Sequence, residues 1–248
     1  MTRTRTALLS LTFLIVSSIA LMACGPETSR SVIELPVWAY GDARNELVVD
    51  EFKLTILEAK IALGPLYFCA ARIPSDHVCR TARLELLDPF VLNLLSESIR
   101  EVGVAQGASG RISSAQYNFG RSILAGEVLP IAVGESVDGS SARFVLAIEG
   151  PDDEEVRVRI TLNLDPARAG SLRVLGHRTE VDLDDSIEAL VIHASAYELF
   201  AALDLDELDF PEDEEVHEVE LGPGDPLYEA LASRISGGAF LDFRWEKR

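Results

Sequence analysis

Three shortages frame this sequence. Cysteine occurs only three times in 248 residues, Lys and Arg are outnumbered 22 to 41 by Asp and Glu, and the one uncharged apolar run is Ala7 to Met22. So few cysteines exclude a disulfide-stapled miniature scaffold. The acid excess argues against nucleic acid as a partner, since phosphates need Lys and Arg, and against adhesion to an anionic bilayer through surface charge. The apolar run falls short of the ~20 residues that cross a membrane as a helix.

Catalytic signatures are missing as well. The four histidines, His77, His177, His193 and His217, never take the spacing that puts two imidazoles on one helix face. Gly134-Glu-Ser136-Val-Asp138 and Ala108-Ser109-Gly110 stop short of a nucleophile elbow. Ser75-Asp76-His77 holds three triad residue types in a row, but neighbours in sequence do not converge as a triad does. Glu101 to Arg111 is glycine-rich without the dinucleotide-binding spacing and reads as a turn. Forty-one acids make some suitably spaced carboxylate pair inevitable, so that signal carries no weight.

What is present begins at the N-terminus. Arg3 and Arg5 precede the apolar run, which closes on Leu21-Met22-Ala23-Cys24. Charge, apolar stretch and small residue in that order form a secretory signal. The last four residues resemble the lipobox of bacterial lipoproteins. That resemblance implies a diacylglycerol on the Cys24 sulfur, cleavage just before it, and acylation of the new amine with a palmitate-like chain. Gly25 after the cysteine implies sorting to the outer membrane of a Gram-negative cell envelope. Ordinary secretory cleavage near Ala23, with Cys24 an idle thiol, is the alternative.

On this reading residues 1–23 are a signal peptide, 24–31 a tether and 32–248 one mostly-β domain, with a weak subdivision near 166–170. The seven residues Gly25 to Ser31 reach at most about 25 Å. Removing Arg3 and Arg5 takes Lys and Arg from 22 to 20 against 41 acids, so the formal charge moves from −19 to −21. Several acyl chains, rather than surface charge, would then hold the protein at the membrane.

Cys69 and Cys79 remain. An even pair in an oxidising compartment reads as a disulfide, worth about 2–3 kcal/mol on the chain-entropy model. A zinc site is the other reading, but only His77 lies near enough to be a third ligand.

Strand patterns dominate the rest. Phe52, Leu54 and Ile56 alternate with polar residues, then the apolar phase slips to Leu57, Ala59, Ile61 and Leu63, which predicts a long strand with a bulge. Val156 to Leu164 alternates most regularly, as a half-buried antiparallel strand does. Val128 to Val133 and Phe144 to Ile148 read as partners across a turn at Asp138-Gly139. Leu172 to Leu175 and Thr179 to Leu183 read as two short strands. Helices are expected at Ala196 to Leu203 and, capped by Asp225, Pro226 and Gly237 or Gly238, near the C-terminus. Eight to ten strands without βαβ alternation predict a mainly-β fold, an antiparallel sandwich or open barrel with two short helices in the C-terminal third.

The strongest chemical feature is acidic. Ten of the seventeen residues from Asp204 to Glu220 are Asp or Glu. Asp204, Asp206, Asp209, Glu214 and His217 are the candidate metal ligands, with calcium the cation that crowded carboxylates suit best. The run has no glycine and misses the helix-loop-helix calcium spacing, so a solvated acidic loop is the plainer reading. Three functions follow as expectations. The first is a lipid-anchored, non-enzymatic envelope module that binds an unknown protein or small molecule and needs no cofactor. The second is a calcium-binding protein, and the third an envelope hydrolase with dispersed catalytic residues.

Overall fold

Alternation within β1 (Val32–Gly41) sets the geometry that matters later. Ile33, Leu35, Val37 and Ala39 are buried, while Val32, Glu34, Pro36, Trp38 and Tyr40 take the opposite face. The structure, a computed structural model, describes residues 30–71, 82–119, 121–124, 127–130, 137, 140–150, 155–162, 173–206 and 217–248. Val32–Arg248 is one compact unit.

The first half continues with β2 (Glu46–Val49), β3 (Phe52–Leu63), β4 (Leu66–Cys69), β5 (Ala82–Leu86), β6 (Phe90–Asn93), β7 (Arg100–Ala108) and β8 (Gly110–Asn118). Next come β9 (Arg121–Leu124), β10 (Glu127–Pro130), β11 (Ala142–Glu149), β12 (Glu155–Leu162), β13 (Arg173–Leu183) and β14 (Ile187–Ala194). The chain closes with helix α1 (Ala196–Phe200), β15 (His217–Leu221), helix α2 (Pro226–Gly237) and β16 (Leu241–Lys247).

Eight strands form the larger sheet in the order β13-β8-β4-β5-β7-β1-β14-β16. The smaller sheet runs β15-β12-β11-β3-β2, with β6 also paired to β3, and β9–β10 is a separate hairpin. The larger sheet curls until its end strands meet through side chains. Trp245 Nε1 on β16 donates to Thr179 Oγ1 on β13 at 2.9 Å, and the His177 ring stands edge-on to Phe243 at 5.0 Å. The fold is therefore mainly β, a nearly closed barrel with two short helices.

One apolar core joins the two sheets. Phe144, Leu146 and Ile148 of β11 share this core with Phe200 of α1, the Phe144 and Phe200 rings lying edge to face at 5.3 Å. Each such side chain contributes roughly 1.5–3 kcal/mol on burial. Tyr117, wholly buried on β8, sends its hydroxyl to the Gly238 carbonyl at 3.5 Å and lies 3.4 Å from His177 Nδ1. Burial raises the Tyr117 phenol and lowers the His177 imidazole, whose fall the Asp242 charge partly opposes.

The bulge expected in β3 is present. Glu58 pairs with Val145 and Ile56 with Leu146, so Leu57 is the extra residue. It is expelled to solvent, and Ala59, Ile61 and Leu63 return to the core. Helix α1 starts where Ser195 accepts a hydrogen bond from the Glu198 amide at 3.2 Å. Helix α2 has Pro226 in its first turn and ends on Gly238 at φ 70°, a left-handed position that suits glycine. Asp225 takes the expected N-cap position, but its carboxylate accepts from the Gly222 amide at 2.6 Å rather than from the helix.

Several expectations are corrected. Sixteen strands, not eight to ten, occur among the described residues. Glu101 to Arg111 is no turn but β7 and the start of β8, joined at Ser109. Its glycine at 107 serves packing, because a Cβ there would lie 1.9 Å from the Arg83 carbonyl oxygen of the neighbouring β5. β10 pairs with β9, while β11 lies between β12 and β3. β13 is one irregular strand, not two. Two pairings, β1 with β14 and β12 with β15, are parallel. The turn at Asp138-Gly139 and the subdivision near 166–170 lie outside the described residues.

Candidate functional site

Strand register builds one site on the outer face of the larger sheet. Trp38 of β1 pairs with Glu101 on β7 and with Val191 on β14, and Val191 pairs with Arg244 on β16. These four residues form a row across four strands. In the next row Tyr40 pairs with His193, and His193 with Asp242. All lie on the side away from the buried Val37, Ala39, Leu190 and Ile192. Trp38, Tyr40 and His193 are half-buried, and none of them belongs to the apolar core.

The rows are knitted together. The Tyr40 and His193 rings lie 4.8 Å apart at 39°. Arg244 donates from Nη1 to the Tyr40 hydroxyl at 3.2 Å and from Nε to Asp242 Oδ2 at 2.7 Å. Such a charge-assisted pair fixes two planar groups side by side. Burial, first, and the Arg244 charge, second, lower the His193 imidazole; Asp42 and Asp242 pull it up and Arg44 pushes it down. His193 is thus favoured as a neutral ring near pH 7.

Beyond the ends of β1 and β14 the rows continue into a polar corner. Asp42 Oδ2 accepts from Ser195 Oγ at 2.7 Å and pairs with Arg44 Nη2 at 3.1 Å. The Arg44 guanidinium sits 4.6 Å above the centre of the Tyr197 ring, a contact worth ~0.5–1 kcal/mol at an exposed site. Asp42 Oδ1 is buried and accepts no bond from the described residues.

This corner holds serine, histidine and aspartate, yet they are not wired for nucleophilic attack. A serine nucleophile hands its proton to an imidazole that a carboxylate orients. Here the Asp42 carboxylate accepts the hydrogen bond of the Ser195 hydroxyl directly, and Ser195 Oγ itself accepts from the Glu198 amide to cap α1. Two open clefts lie elsewhere. One, of about 490 Å³, is framed by Glu34, Asp184, Asp185, Glu188 and Arg248. The other, of about 460 Å³ beside the barrel seam, is framed by Arg111, Glu180, Asp182, Trp245 and Lys247. Among the described residues, neither is lined by serine, cysteine or histidine.

The residues singled out from sequence are scattered. Cys24 and Cys79 lie outside the described residues, as do Asp209 and Glu214. Cys69 ends β4 and is 1% exposed. Asp204 and Asp206 follow α1, where the Asp206 amide donates to Asp204 Oδ1 at 3.1 Å. His217 opens β15, its backbone opposite Val156 in parallel register. The described residues of the acidic run therefore bring no set of candidate ligands together. Sequence reasoning missed Trp38, Tyr40, Asp42 and Arg244. The signal for the first two was available, since Trp38 and Tyr40 occupy the non-core phase of the Leu35-Pro-Val-Trp-Ala-Tyr alternation.

No family model matches the chain, and no curated protein matches it. Among solved structures, MbnP from Methylosinus trichosporium is similar over 88% of this chain and 99% of its own, at 10% identity and a TM-score of 0.40.

Proposed function

We propose that this protein is a lipid-anchored lipoprotein of the cell envelope whose barrel acts as a non-enzymatic binding module. The observation that carries the binding reading is the outward pair of rows, Glu101-Trp38-Val191-Arg244 and Tyr40-His193-Asp242. Large aromatics that face away from the core, beside prearranged charged groups, suit recognition better than packing. Ser195, engaged twice, favours binding over hydrolysis.

The anchor reading rests on Leu21-Met22-Ala23-Cys24, and Gly25 after the cysteine favours the outer membrane of a Gram-negative cell. Two or more acyl chains would hold a strongly acidic body there without help from charge. Cys69, buried at the mouth of the segment leading to Cys79, supports a structural disulfide between them. Expression with and without Cys24→Ser tests the anchor. The native chain should partition into the detergent phase of a two-phase extraction and the variant into the aqueous phase. A variant that still partitions into detergent contradicts the proposal.

A further inference from the structure

The larger sheet has one joint unlike the rest. Every neighbouring pair in it, from β13–β8 to β14–β16, is held by a backbone ladder. Among the described residues no ladder joins the two end strands, β13 and β16. They meet through side chains, His177 against Phe243 and Thr179 against Trp245. Two steps along one strand match two steps along the other, so the pair runs side by side in one direction. Such a joint gives way more readily than a ladder, because no repeating set of backbone bonds must break with it.

His177 is the titratable group built into this joint. Its ring stands edge-on to Phe243 at 5.0 Å, and its Nδ1 lies 3.4 Å from the Tyr117 hydroxyl. Phe243 and Trp245 in turn pack on the wholly buried Phe68, at 5.5 and 5.2 Å. Little here balances an imidazolium. Tyr117 of β8 stays neutral, since burial raises its phenol, and Phe68 of β4 and Gly238 beyond α2 bring no charge. Asp242 of β16 attracts the proton, but its Oδ2 is already bonded to Arg244 at 2.7 Å. On β13 itself Arg178 and Glu180 are exposed, and Glu180 pairs with Arg178 and with Arg111 of β8.

We propose that the β13–β16 joint is a latch on the barrel interior, closed while His177 is neutral and opened when it takes up a proton. The sign follows from linkage. Burial lowers the imidazole in the closed joint, whereas a solvated histidine titrates near 6.5. The open form therefore binds the proton more tightly, and acid draws the joint open. Above about pH 6.5 the latch stays shut, and it yields as the pH falls toward the depressed value of the closed form. The cleft of about 460 Å³ beside Trp245 gives water its way in. The ladders between the other strands hold the rest of the sheet in place meanwhile.

Trp245 reports on the latch directly, since Trp38 is the one other tryptophan in the sequence. The full chain carrying Trp38→Phe is titrated from pH 7.5 to 5.0, with acrylamide quenching of Trp245 read beside far-UV circular dichroism. The quenching constant should rise threefold or more while the strand signal holds. His177→Gln should stay at the pH 7.5 level throughout, as should His177→Phe, which keeps a ring against Phe243. Thr179→Val, which removes the hydrogen bond to Trp245, should open at higher pH. His193→Gln should follow the parent chain, because His193 lies on the outer face. Constant quenching in the parent, or a rise that coincides with loss of the strand signal, overturns the latch. So does a rise that survives in either folded His177 variant, a Thr179→Val curve equal to the parent's, or a flat His193→Gln curve.

Discussion

Tyr40 and His193 face one another across the parallel β1–β14 pair, their ring centroids 4.8 Å apart, with Arg244 bonded to the tyrosine hydroxyl. Burial and the guanidinium together hold the His193 imidazole below its ordinary value. Removing the guanidinium in Arg244→Ala takes away a repelling charge and frees Asp242 to attract the proton. The His193 titration, followed by its ring proton in NMR, should move upward. A downward or absent shift would show that Arg244 does not set the charge state of this face.

Acid should weaken the fold through His177 before it reaches any carboxylate. The native imidazole is depressed by burial, while the unfolded chain titrates near 6.5. Between those values the unfolded state binds more protons, so stability is full above about pH 6.5 and is lost as the pH falls through the depressed native value. His193 acts in the same direction. Denaturant midpoints measured at pH 7.5 and 5.5 should show the decline, and His177→Gln should reduce it. An unchanged midpoint across that range contradicts the placement of His177 against Phe243 and Tyr117.

The core and the bulge make opposite demands on leucine. Leu146 on β11 is fully buried between two strands, and Leu146→Ala should cost about 2–5 kcal/mol. Leu57, which an unbroken alternation through Ala59, Ile61 and Leu63 would turn inward, is 48% exposed. Leu57→Ala should change stability by less than about 0.5 kcal/mol. Equal losses in the two variants, read from urea unfolding, would place the bulge elsewhere.

A similar contrast applies to glycine. At position 107 a methyl group would collide with the Arg83 backbone, so Gly107→Ala should cost ~1–3 kcal/mol by forcing β7 away from β5. At position 222 a Cβ meets nothing within 4 Å, and Gly222→Ala should be nearly silent. Thermal unfolding of the two variants checks this. A neutral Gly107→Ala would mean that β5 and β7 do not pack as closely as described.

Much of the fold was legible because alternation survives in single strands. Phe52 to Ile56 and Val156 to Ile160 each expose their buried face to anyone counting by twos. The β3 bulge was legible from the slip in phase, although its extra residue, Leu57, looked like part of the core until the register with β11 expelled it. Residues 101–111 were misread because glycine signals a turn and close strand packing with the same letter, and only the Arg83 carbonyl opposite position 107 distinguishes them. The candidate site was hidden for a different reason. Trp38 and Arg244 are more than two hundred positions apart, and a parallel pairing of β1 with β14 leaves no local mark in either strand. Chemistry distributed across four strands becomes visible only when their register is known.

The most direct check is intact-mass and N-terminal peptide mass spectrometry of protein purified from membranes of an expressing Gram-negative host. The mature chain should begin at Cys24 and carry a diacylglyceryl group on sulfur and an acyl chain on its amine. A chain beginning elsewhere, or a Cys24 bearing an unmodified thiol, would contradict the envelope-anchored reading at its root.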